Sequence, residues 1–360
     1  MRRRKNYRAP SGCRFYYPLD IKRLAAELQA KGIDIAPTRQ TWNRVAIEIA
    51  DAEGEHGREA FHKIVAVWPD YSSIDSERCF NRALMRADGT FQEMSYIKKA
   101  CNKNGINTVK FTNHHIKRIV VKQPENKSKN IVMIDKNRFR KTQLEDRSLW
   151  GRSYLTDLLM KVFPQSAVLD AVEMYMVGFD SFITGRLQDS IVFWQINERY
   201  KVLNGKRITY QFNGHRDKRW PPMLLYRDNG QCLFGLHLLN EFPDKPIAIV
   251  ESEKSALIMS FVDKDKLWMA TGSLDNFNEK MLYPIKGRKI IAYPDLDRSY
   301  GKGINLSTTY VQWKNEALRL CKRGYNITVT DKLEKMAKSI HRLNKWDIAD
   351  FALYSAIYKN

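Results

Sequence analysis

Between residues 245 and 330 short apolar runs alternate with helical stretches, and this constrains the fold more than any other feature of the chain. Ile247–Val250, Leu267–Ala270, Lys289–Tyr293 and Ile327–Val329 are short and nearly all apolar. Runs of that kind read as strands buried on both faces. Lys254–Val262, Asn278–Leu282 and Leu306–Lys322 lie between them with helical patterning. The rhythm predicts a parallel sheet covered by helices. Two of the strands stop on acids, in Pro246-Ile-Ala-Ile-Val-Glu251 and Lys289-Ile-Ile-Ala-Tyr-Pro-Asp295-Leu-Asp297. Residues just past the carboxyl ends of such strands face the ligand crevice. Glu251, Asp295 and Asp297 converging there would offer hard oxygen ligands to a divalent ion, the chemistry of phosphoryl transfer. The alternative is that these acids only cap helices.

The formal net charge is +21 over 360 residues. That excess costs self-repulsion and points to a polyanionic partner rather than a small metabolite. The hydrophobic fraction of 43% suits packed domains, not a disordered chain. The five cysteines (Cys13, Cys79, Cys101, Cys232 and Cys321) form no Cys-x-x-Cys pair, which argues against a zinc ribbon or a disulfide framework and fits a reducing cytoplasm. No apolar run approaches the length of a membrane span.

Five tracts follow from the texture. Residues 1–18 are a basic arm and residues 19–107 a helical domain, with Trp42 and Trp68 expected in its core. Residues 108–152 read as a basic linker in which Ile131–Ile134 is a candidate strand. It is either a solvated connection or a strap that tracks phosphates. Residues 153–242 read as mixed α+β, with helices at Tyr154–Phe163 and Ala167–Met176 and a strand at Ser190–Ile196. A turn at Asn204-Gly205 would lead into a second strand, Arg207–Phe212. Residues 243–360 hold the parallel sheet and a C-terminal extension.

Val250-Glu251-Ser-Glu-Lys-Ser-Ala-Leu257, Ala270-Thr-Gly272-Ser and Tyr293-Pro-Asp295-Leu-Asp297 resemble the three signature strands of a Toprim domain, shared by bacterial-type primases, topoisomerases and several nucleases. The resemblance implies that Glu251 serves acid–base or metal chemistry and that Asp295 and Asp297 hold magnesium or manganese. The family carries Gly where this chain has Ser252. Phe234-Gly-Leu-His237 resembles the segment that precedes the Toprim strand in the primase catalytic core. In that core a basic subdomain lies beside the metals, and Lys206, Arg207, Arg216, Lys218 and Arg219, together with Lys254, are the candidates here for contacting nucleotide or nucleic acid. Lys345-Trp-Asp347-Ile-Ala-Asp350 resembles the stretch that closes Toprim domains of mobile-element primases, so Asp347 is a further candidate metal ligand, with helix capping as the other reading. Trp42, Gly54-Glu-His-Gly57-Arg-Glu-Ala-Phe61, Trp68, Tyr71 and Cys79 resemble the small helical domain found C-terminal to primase modules.

The expected fold is therefore an α/β Toprim domain, a parallel sheet with flanking helices, preceded by an α+β primase-core-like subdomain and an all-α N-terminal domain. The expected function is synthesis of RNA primers on single-stranded DNA from nucleoside triphosphates, in a plasmid, phage or other mobile element, with a helicase supplied in trans. A Toprim nuclease using the same acids and a non-catalytic DNA-binding replication or mobilisation factor are the alternatives. No Gly-x-x-x-x-Gly-Lys-Ser/Thr loop is present, so no helicase motor is built in.

Overall fold

The computed structural model describes residues 15–16, 18–69, 71–87, 93–112, 117–118, 136–143, 153–180, 190–227, 229–297 and 306–358. The chain divides into two compact units, Met1–Lys129 and Asn130–Asn360. The protein is mixed α/β and contains a parallel sheet. Among the described residues no helix is long and apolar enough to cross a membrane.

Among its described residues the first unit has five α-helices: α1 (Ile21–Lys31), α2 (Arg39–Glu53), α3 (Arg58–Val65), α4 (Ser73–Arg86) and α5 (Ser95–Lys103). A short antiparallel pair, β1 (Phe15–Tyr16) with β2 (Lys117–Arg118), joins its two ends. Three of these starts are locally encoded. Asp20, Thr38 and Ser72 accept from backbone N–H groups of the first turns of α1, α2 and α4. Trp42 is fully buried, and its ring centroid lies 4.9 Å from that of the half-buried Trp68, so both belong to the core. Glu48 is buried on α2, where its carboxylate accepts from the N–H groups of Tyr96 and Ile97 at the start of α5. Burial pushes its pKa up against those two bonds.

The described residues of the second unit form two sheets. Helices α6 (Lys136–Thr142), α7 (Tyr154–Val162) and α8 (Gln165–Met174) precede an antiparallel sheet of β3 (Gly178–Asp180), β4 (Ser190–Ile196), β5 (Val202–Thr209) and β6 (Met223–Leu224) in that order. The parallel sheet has the order β10-β9-β7-β8: β7 (Ile247–Val250), β8 (Leu267–Ala270), β9 (Lys289–Ala292) and β10 (Asn326–Val329). Its helices are α9 (Glu253–Val262), α10 (Glu279–Leu282) and α11 (Thr308–Cys321); α12 (Lys332–Met336), α13 (Ser339–Leu343) and α14 (Ile348–Tyr358) follow. All four strands of the parallel sheet and three of its helices lie where the apolar rhythm predicts them, to within two residues.

The turn expected at Asn204-Gly205 does not form. Both residues lie inside β5, opposite Gln195 and Trp194 of β4. The hairpin turns instead at residues 197–201, where Asn197 Oδ1 accepts from the N–H groups of Arg199 and Lys201. Gly205 serves packing: a Cβ there would stand 2.8 Å from the Trp194 ring. That ring is held from the other side by α6, since Trp194 Nε1 donates to Thr142 Oγ1 at 2.9 Å and Phe139 packs edge-on against it. Lys136–Thr142 of the basic tract thus forms a helix docked on this sheet, while Ile131–Ile134 lies outside the described residues.

One apolar core runs through both sheets of the second unit. Phe234 bridges to Ala270 on β8, and the Tyr175 hydroxyl donates to the Trp268 carbonyl at 2.6 Å. Gly235, at φ +87°, lets the Tyr175 ring lie where a Cβ would collide with it. These contacts set the antiparallel sheet beside the carboxyl ends of β7 and β8.

Candidate active site

The acidic strand ends meet at the carboxyl edge of the parallel sheet. Glu251 follows β7 and precedes Ser252, the N-cap residue of α9. Its carbonyl accepts from Gly272 N–H at 2.8 Å, which ties it to the turn after β8. Asp295 follows β9 by three residues, and the next residue, Leu296, donates its N–H to the Trp346 carbonyl at 2.9 Å. That bond brings Asp347, at the start of α14, to the same edge.

Asp347 is buried and tightly held. Its Oδ1 accepts from the N–H groups of Ala349 and Asp350, and Ser255 Oγ donates to its Oδ2 at 2.5 Å. Asp350 returns a bond to the Asp347 N–H and lies 3.4 Å from Lys254 Nζ. The capping reading of Asp347 and Asp350 is therefore realised, in a reciprocal box. The same pair also stands within electrostatic reach of Asp295.

The acids act on one another. Asp295 is driven well above the usual carboxylate range by burial first, then by the charges of Asp347, Glu251 and Asp350, with Lys254 opposing. Burial and Asp350 raise Asp347. Burial likewise raises Glu251, with Lys206 opposing and Glu253 and Asp347 adding to the rise. Desolvation works against the Lys254 ammonium, but Asp350, Asp347 and Asp295 outweigh it and hold its pKa above the ordinary value. Asp295 Oδ1 is buried and has no hydrogen-bond partner among the described residues.

Not every expected ligand joins this group. Asp297 is half-buried, takes Ser307 Oγ as acceptor for its N–H, and places its carboxylate 3.4 Å from Lys345 Nζ. Asp347, Glu251 and Asp350 act on Asp295 more strongly than it does. Among the described residues no three acidic, histidine or cysteine side chains stand close enough to hold a metal ion as they are arranged. The donor chemistry still fits a divalent cation. Several carboxylates press on Asp295, and its orphaned oxygen supplies an open ligand position.

The expected cations separate. Successive residues of a strand point to opposite faces, so Lys206 and Arg207 part company. Lys206 reaches the site: its Nζ donates to Glu253 Oε2 at 3.1 Å and to the Gly272 carbonyl at 2.6 Å. Arg207 turns away to Asp180 at 3.4 Å. Arg216 is exposed and acts on Glu251 and Tyr210 through its charge. Lys218 and Arg219 are exposed on the same loop, and Arg219 is held by Asp217 at 2.6 Å. Lys254 is drawn in among the carboxylates.

Sequence reasoning missed Glu253 and Tyr210. Glu253 is 1% exposed, and its second oxygen has no partner among the described residues. Gly272, at φ +79°, leaves room for it, because a Cβ there would sit 2.8 Å from Glu253 Oε1. Burial raises the Tyr210 phenol well above its ordinary value, and Glu253 adds to the rise. Neither residue carries a sequence signal, since both roles depend on β5 lying against the strand ends.

The fold and site define a parallel α/β domain with an acidic carboxyl edge, flanked by an antiparallel sheet that delivers a lysine. A family model described as "Domain of unknown function (DUF6371)" matches residues 153–296, which span most of this arrangement. No curated protein matches the chain. Among solved structures the chain is similar to the DnaG catalytic core, at 13% identity and a TM-score of 0.28, over 48% of this chain and 65% of that one. It is also similar to the E. coli primase catalytic core, at 11% identity and a TM-score of 0.33, over 61% of this chain and 80% of that one.

Proposed function

We propose that the protein is a Toprim-type, primase-like nucleotidyltransferase that makes RNA primers on single-stranded DNA from nucleoside triphosphates. It would act in the cytoplasm, in replication of a plasmid, phage or other mobile element, with a helicase supplied in trans. The observation that carries the reading is the mutual pressure of Glu251, Asp295, Asp347 and Asp350 around an unpartnered Asp295 oxygen at the carboxyl end of the parallel sheet. The motif resemblance of Glu251, Asp295 and Asp297 supports it, as does the net charge of +21.

Asp295 and Glu251 would hold magnesium or manganese, with Asp347 beside them, while Asp297, whose carboxylate meets Lys345, would join only by leaving that lysine. Bound there, the ion supplies charge neutralisation and alignment for an in-line displacement at phosphorus. The protein supplies the rest. Glu251, whose pKa burial raises above the ordinary carboxylate value, would take the proton from a 3′-hydroxyl. Lys206 keeps a third ammonium hydrogen beyond its bonds to Glu253 and Gly272, which would serve an incoming phosphate. Arg216, Lys218 and Arg219 line the loop beside it and balance template charge.

The test is incorporation of labelled ribonucleotides on single-stranded DNA with magnesium or manganese. Glu251→Gln should lower synthesis by roughly two orders of magnitude or more, the scale of losing an acid–base group. Synthesis by that variant at the parent rate would remove Glu251 from the chemistry. Strand cleavage without incorporation by the parent protein would replace the primase reading with the nuclease one.

A further inference from the structure

Helix α14 has an unusual surface. Its sequence, Ile348-Ala-Asp-Phe-Ala-Leu-Tyr-Ser-Ala-Ile-Tyr358, carries one charge, and that charge, Asp350, is turned inward to Lys254 and the Asp347 N–H. A surface helix ordinarily shows charged residues to solvent. Here Tyr354 is 51% exposed and Tyr358 71% exposed. The rings are continuous. Tyr358 lies 4.5 Å from Tyr354 between centroids, Tyr354 lies 5.5 Å from Trp346, and Trp346 stacks on His341 at 4.3 Å.

The exposed charges that precede the ladder in sequence are mostly cationic. Lys332, Lys335, Lys338 and Lys345 are exposed. The acids of the same stretch are paired, Glu334 with Arg342 and Asp331 with Lys335 at 3.0 Å. The ladder also starts at the acidic edge, because the Trp346 carbonyl holds Leu296 between Asp295 and Asp297. From Asp347 to Tyr358 the helix runs about 16 Å.

We propose that Trp346, Tyr354 and Tyr358, with Lys345 beside them, form a stacking ladder for single-stranded nucleic acid that leads away from the acidic edge. The exposed rings of Tyr354 and Tyr358 take bases on their faces, the half-buried Trp346 backs them at the acidic end, and the lysines meet the backbone phosphates. The ladder deepens the nucleic-acid reading above and rests on it. It adds a path for the strand that neither the acids nor the loop at Arg216 provides.

The experiment is anisotropy of a labelled oligo-dT strand against the full chain at low salt, without metal. Tyr354→Ala with Tyr358→Ala should weaken binding about 25-fold or more, from about fivefold for each lost ring. Tyr354→Phe with Tyr358→Phe should bind like the parent, because the ring face acts and not the hydroxyl. Equal affinity in the alanine pair overturns the proposal. So does equal loss in both pairs, or a change in self-association of the alanine pair with DNA binding intact, which would mark a protein-docking face. Photocrosslinking of a bromodeoxyuridine strand to the unmodified protein guards against misfolding of the variants. Adducts on residues 346–358 support the ladder, and their absence there refutes it. The assay needs neither metal nor turnover, so a chain that binds through the ladder but never incorporates nucleotide refutes only the synthetic reading.

Discussion

Lys206→Met should destabilise the second unit by about 3–5 kcal/mol, the range for removing one partner of a buried ion pair. The variant keeps the length of the side chain and removes its charge. Glu253 is then left 1% exposed, with Oε2 deprived of its 3.1 Å partner and Oε1 already unpartnered. The 2.6 Å bond to the Gly272 carbonyl goes as well, worth about 1 kcal/mol. Lys206 itself is 15% exposed, so water softens the loss and places the expected value nearer about 3 kcal/mol. Glu253→Gln should cost less, about 1–2 kcal/mol, because the amide oxygen still accepts from the ammonium. In Lys206→Met with Glu253→Leu the two losses should largely cancel, leaving a coupling of about 2 kcal/mol or more. Urea unfolding followed by tryptophan fluorescence, with the transition of the second unit fitted separately, measures all three. A cost below about 1 kcal/mol for Lys206→Met would refute the argument. So would strict additivity in the double variant, since it would make Lys206 a free cation rather than a locked one.

The raised values of Asp295, Glu251 and Asp347 mean that the folded state keeps protons that the unfolded chain releases. Stability of the metal-free protein should therefore fall as pH rises from about 4 through those raised values. Asp295→Asn should flatten that fall and abolish stabilisation by magnesium; melting temperatures in chelator and in metal across the range decide it. Gly272→Ala should cost clearly more than Gly32→Ala, because both need a left-handed backbone but only Gly272 meets Glu253, at 2.8 Å. Equal losses in chemical unfolding would dismiss the contact. Thr142→Val should lose about 1–3 kcal/mol by stranding the buried Trp194 N–H, with no loss expected in Trp194→Phe/Thr142→Val beyond that of Trp194→Phe. Binding of single-stranded DNA should weaken steeply between low and moderate salt, and a flat salt response would contradict the role given to the basic surface.

The parallel sheet was legible in the chain because its signal is local. A strand buried on both faces must be apolar along its length, and the punctuation between strands is written in neighbouring residues. The acids at the ends of β7 and β9 were legible for the same reason, since their place just past the last apolar residue puts them at the carboxyl edge. The β4–β5 hairpin shows the limit. Asn204-Gly205 has the composition of a turn, yet Gly205 is there to admit the Trp194 ring, a contact with another strand that no window of sequence displays. The partition of the acids was equally hidden. Asp297 and Asp347 look alike as residues, but the bond from Leu296 to Trp346 brings Asp347 and Asp350 to bear on Asp295, while Asp297 meets Lys345. The pairing of Lys206 with Glu253 spans forty-seven positions and two sheets. Burial, charge pressure and alternation of strand faces are properties of neighbours in space, so only the tertiary structure decided which lysine enters the site and which carboxylate stands open.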